Sequence, residues 1–87
     1  MTDAWGGHQA SVYVAINNIG EIQEALSLAT DACERTIGAI QEAVGQSHVE
    51  SATNATAFIA GVLEKVRECY GMSESASAEL TRYMGGF

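Results

Sequence analysis

Val44-Gly45-Gln46-Ser47-His48-Val49-Glu50 (VGQSHVE) sits in the middle of an 87-residue chain and interrupts an otherwise continuous helical pattern. Gly45 stands where the left-handed residue after a helix is wanted, because glycine takes positive φ without a Cβ clash. Ser47 and Glu50 have the S-x-x-E spacing of a capping box, in which each side chain satisfies a free backbone N–H of a new helix. A stop signal followed at once by a start signal predicts two helices joined by a tight turn. The expected architecture is all-α, a single antiparallel two-helix hairpin over 1–87. It has one helix over about 8–44, a turn at 45–47 and a second helix over about 48–84.

The flanking sequences carry the pattern that such a hairpin needs. Before the turn, Val12, Ala15, Ile19, Ile22, Leu26, Ala29, Cys33, Ile37, Ile40 and Val44 step by threes and fours, the spacing of one apolar helix face. After it, Ala52, Ala55, Ile59, Val62, Val66, Cys69, Ser73, Ala76, Leu80 and Tyr83 repeat the step. The expected pairing seam therefore contains Val12, Ile19, Ile22, Leu26, Ile37, Ile40, Ile59, Val62 and Val66. Val14, Ile16, Leu28, Phe58, Leu63 and Tyr70 fall outside it. Leaving several such side chains wet costs on the order of 1.5–3 kcal/mol each relative to burial. A second copy, or a sister hairpin, completing a four-helix bundle would cover them.

Composition agrees with long helices and excludes several function classes. The chain has no proline, is 47% hydrophobic and only 7% aromatic, and carries a formal charge of −7. Four basic residues against eleven acidic ones argue against nucleic acid, whose phosphates need lysine and arginine as counterions. No run approaches the roughly 20 apolar residues of a membrane span. The N-terminal MTDAWGGHQ has neither a basic region nor an apolar core, so no Sec-type signal is expected.

Catalytic and metal chemistry find no foothold. His8 and His48 open different helices, roughly 50 Å apart at 1.5 Å rise per residue. There is no HExxH and no CxxC, and no cofactor is expected. Cys33 and Cys69 differ in height along the hairpin by about 15 Å, against a limit near 7 Å for a disulfide, so both are expected as small apolar residues of the seam, with a bridge between two chains as the alternative. The fit is to a protein without enzymatic activity.

The end of the chain offers a different kind of motif. Tyr70-Gly71-Met72-Ser73-Glu74 reads Y-x-x-x-E late in helix two, and Tyr70 and Glu74, one turn apart, share a face. Leu80, Tyr83, Met84 and Phe87 form an apolar tail over 80–87, an amphipathic hook suited to a groove on another protein. Trp5-Gly6-Gly7 reads W-x-G. Together with the size, acidity and hairpin pattern, these resemble the WXG (Esx) helical-hairpin substrates of type VII secretion in actinobacteria and their relatives. The resemblance implies pairing as homo- or heterodimers in a four-helix bundle. It also implies an export signal at Tyr70 and Glu74, and docking of Leu80, Tyr83, Met84 and Phe87 on a partner or on the secretion ATPase. The chain would be cytoplasmic before export and then secreted. The Met84-Gly85-Gly86-Phe87 ending looks like the Met-Gly-Phe ending of one such partner. In the family W-x-G occupies the turn, whereas Trp5 here precedes helix one, so the family's tryptophan role is not carried over.

Helix one also resembles hairpin proteins encoded beside actinobacterial toxins, which implies a targeting adaptor for a larger cargo protein. A structural subunit of a self-assembling particle or filament is the alternative use of the same apolar stripes. A cytosolic regulator binding a partner helix is the third.

Overall fold

The computed structural model describes the backbone of residues 4–85 and side chains over 8–85. It contains two helices, α1 (Ala4–Val44) and α2 (Glu50–Gly85), with no strand among the described residues. They lie against each other as a hairpin with Cα extents of 70 × 17 × 14 Å. A compact chain of this length has a radius of gyration of about 12 Å; here it is 19.8 Å. The molecule is a rod one helix layer thick.

α1 begins at Ala4, ahead of the expected start at His8. With no proline to stop it, each further residue adds a backbone hydrogen bond, and this carries the helix through Gly6 and Gly7. Its end follows the sequence reading. Gly45 has φ of 59°, and its N–H donates to the Gln41 carbonyl at 2.9 Å, the bond of a left-handed C-terminal cap. A Cβ at Gly45 would meet nothing within 4 Å, so a substitution there costs backbone conformation alone. Gly45→Val should destabilise by about 1–2 kcal/mol, lowering the melting temperature by about 5–15 °C. Gly45→Asn should come close to wild type in the same thermal scan; equal melting of the Val variant would remove the cap from the account.

The start of α2 differs from the expected capping box. The first helical bond of α2 runs from the Thr53 N–H to the Val49 carbonyl at 3.0 Å, which makes Val49 the cap residue. Ser47 is used in the turn instead, its N–H donating to the Val44 carbonyl at 3.0 Å. The chain must cross the 8–10 Å between packed helix axes, and residues 45–49 supply that crossing. Glu50 in the first turn and Arg82 in the last complement the helix dipole.

The interface rows are offset from the expected seam. In α1 the inward positions are Val12, Ile19, Leu26, Cys33 and Ile40, together with Ile16, Gln23, Thr30, Ile37 and Val44, with Ala15 and Ala29 half-buried at the border. In α2 they are Ala52, Ile59, Val66, Ser73 and Leu80, together with Thr56, Leu63, Ser77 and Met84, and Tyr70 at the edge. Both sets repeat every seven residues, the pattern of a left-handed helix pair. Ile22 and Val62, expected in the seam, are 51% and 48% exposed. Cys69 is exposed as well, while Cys33 is the buried core residue at 8%. Ile16 and Leu63, expected outside the seam, take part in it.

The reason is visible in the polar positions. The Gln23 Nε2 donates to Ser73 Oγ at 3.1 Å across the interface, and the Ser73 hydroxyl donates to the Tyr70 carbonyl at 2.6 Å. Thr30 Oγ1 donates back to the Leu26 carbonyl at 3.0 Å. Polar groups that are satisfied in this way can occupy a half-exposed seam at little cost. Beside them Arg67 of α2 reaches Glu34 of α1 at 3.5 Å. Both side chains are largely exposed, so this pair marks one face of the rod and contributes at most about 1 kcal/mol.

Candidate interaction surface

The two faces of the rod are chemically different. Each residue turns about 100° around a helix, so the rows bordering the seam can be read from the inward positions. On the face marked by Glu34 and Arg67 lie Glu24, Asp31, Glu64 and Glu74. On the opposite face α1 presents Ala15, Ile22 and Ala29, with Ala25, Ala32 and Ala39 beside them. From α2 the same face receives Val62, Cys69 and Ala76, flanked by Phe58 and Met72. An open apolar groove joins the two helices there, lined by Leu26, Phe58, Val62, Val66 and Cys69.

This face is uncovered. Phe58 and Met72 are 78% and 71% exposed, and Lys65 and Glu79 are the charged residues in its rows among the described positions. The remaining described acids sit on the other face or along the edges, which is how a chain of charge −7 keeps one side neutral. The signal was present in the sequence as two seven-residue series, Ala25/Ala32/Ala39 and Phe58/Lys65/Met72. A search for the best single apolar seam passes over both.

The motif residues are distributed differently from the expected signal and hook. Tyr70 sits at the seam edge, 37% exposed, and Glu74 is exposed one turn further on. Both lie well inside α2, which continues to Gly85. Leu80 and Met84 are half-buried in the rows facing α1, so they close the open end of the hairpin instead of projecting as a free hook. Tyr83 lies in the row of Val62 and Cys69. Phe87 and the side chain of Trp5 lie outside the described residues.

No group of three potential metal ligands occurs among the described residues, and no described helix is long and apolar enough to cross a membrane. The arrangement leaves an apolar face open between the two helices. Comparison of the chain with protein-family models, with curated proteins and with solved structures returned no match.

Proposed function

We propose that this chain is a non-catalytic pairing protein that works by docking its neutral apolar face on other helices, and that it travels as a substrate or cargo-targeting partner of a type VII secretion system. The observation that carries the pairing is the uncovered face itself. Large exposed side chains such as Phe58, at the groove, and Met72, further along the same face, mark an interaction site. The export reading is supported by Tyr70 and Glu74 at Y-x-x-x-E spacing on the second helix of an acidic hairpin, with Glu74 exposed to a receptor.

Glu74→Ala is the clean test of export, because Tyr70 also packs at the seam. In cells carrying the secretion system, Glu74→Ala should lower the exported fraction at least about tenfold, the ratio that accompanies ~1.4 kcal/mol of lost recognition, with the intracellular level and helicity unchanged. Export that is indifferent to Glu74 and to the secretion ATPase would remove this reading.

A further inference from the structure

We propose that Met72 is a modification site, at which a peroxide converts the thioether to the sulfoxide and so weakens docking on the apolar face while the hairpin stays folded. The inference rests on the reading of that face as a docking surface and adds its control.

Sulfur is sorted by its place in the rod. Among the described residues it occurs at Cys33, Cys69, Met72 and Met84. Cys33 is 8% exposed inside the seam, and Met84 is half-buried in the rows facing α1. Cys69 and Met72 lie on the open face, one helical turn apart, and Met72 is 71% exposed. Oxidation follows exposure, because the sulfur lone pair must meet the oxidant. The S–O group that results also needs water around it. Met72 meets both conditions and Met84 is shielded from both, so an oxidant marks the face before it reaches the seam.

The step balances. The Met72 sulfur lone pair attacks one oxygen of the peroxide, the O–O bond breaks and an S–O bond forms. The proton of the transferred oxygen moves to the leaving oxygen, which departs as water or an alcohol. Sulfur gives up two electrons and the peroxide takes them.

The consequence follows from where Met72 stands. Phe58, Val62 and Ile22, the other large exposed apolar side chains of this face, have no atom that a mild oxidant makes polar. Methionine sulfoxide turns a flexible apolar side chain into a polar one. A partner that had covered the thioether would then bury an acceptor with no donor to meet it. The fold has no such stake in Met72. The seam contact at this height is made by Ser73, about 100° further round the helix, which accepts the Gln23 bond at 3.1 Å.

The test uses the full chain carrying Cys69→Ala, which removes the exposed thiol as a competitor and keeps the face apolar. Trypsin cuts after Arg67 and Arg82, so Met72 and Met84 fall in separate peptides. With hydrogen peroxide, mass spectrometry should find the added oxygen on the Met72 peptide several-fold sooner than on the Met84 peptide. Binding to phenyl-substituted beads, the probe for the face, should fall at least about threefold, a fraction of what full burial of a methionine contributes. Helicity and melting temperature should be kept. In Met72→Leu, peroxide-treated and untreated protein should bind the beads alike, and Met72→Gln should bind like the oxidised chain. Equal oxidation of Met84, a lowered melting temperature, or bead binding indifferent to oxidation of Met72 overturns the inference. An untreated chain that the beads do not retain overturns the docking reading along with it. Oxidation-sensitive binding by a chain whose export ignores Glu74 supports the inference and overturns the export reading alone.

Discussion

Leu26→Asp unfolds the hairpin. Leu26 is an inward position of α1, beside the Gln23–Ser73 bond and at the floor of the groove shared with Val62 and Val66. Removing a packed leucine costs about 2–5 kcal/mol, and a carboxylate placed against Val62 and Val66 carries a desolvation cost that the exposed Lys65 at the rim of the same groove offsets only in part. A chain of 87 residues has about 4–13 kcal/mol of stability in total. Much of it comes from two long helices holding each other, since an isolated helix gains little by itself. The expected result is loss of most of the far-ultraviolet helical signal at 25 °C, or a melting temperature lower by at least about 15 °C. A melting curve superimposable on wild type would mean that Leu26 is not part of the seam.

The second large effect has the opposite sign. Replacing the polar layer as a pair, Gln23→Leu with Ser73→Leu, should stabilise the hairpin by about 1–2 kcal/mol, raising its melting temperature by about 5–15 °C. Changing both together leaves no orphaned donor, because the Gln23 amide and its acceptor, Ser73 Oγ, leave at the same time. The gain should come with lower specificity. Gln23 and Ser73 recognise each other at one register, and a leucine layer tolerates sliding by a heptad. Thermal melting checks the first effect and heterogeneous, higher-mass species in light scattering check the second. A drop in melting temperature would show that the polar layer contributes more to stability than the apolar contacts that replace it.

This polar layer also explains which parts of the protein were legible beforehand. The break at Gly45 could be read because a left-handed cap is a local requirement of the backbone at one residue. The seam could be read only in part. Val12, Ile19, Leu26, Ile40, Ile59 and Val66 lie inward, since their row is apolar whichever flank is chosen, and Ile37 lies inward in the row of Gln23 and Thr30. The flank was misjudged in α2, and in α1 at Ile22 alone, because Ala15 and Ala29 are half-buried as expected. Ala15, Ile22 and Ala29 are more apolar than Ile16, Gln23 and Thr30, and spacing by threes and fours fits either set equally well. Hydrophobicity favours the first set, but the hairpin turns the second inward as well and leaves Ile22 outside.

The sequence by itself determined two long helices, the place of the turn, the antiparallel pairing and an acidic chain with more apolar surface than one hairpin covers. Each of these follows from local backbone preference or from composition. Only the tertiary structure decided which side of each apolar stripe faces the other helix, and therefore which side is left outside. That choice belongs to the pair: the Gln23–Ser73 bond, the Glu34–Arg67 contact and the back-bonded Thr30 make the more polar flank acceptable inside a half-open seam. Turning this flank inward gathers Ile22, Val62, Phe58 and Met72 on one outer face. Neither helix carries that information alone, because a stripe about 140° wide on a 3.6-residue helix has two flanks of similar spacing, and the partner selects between them.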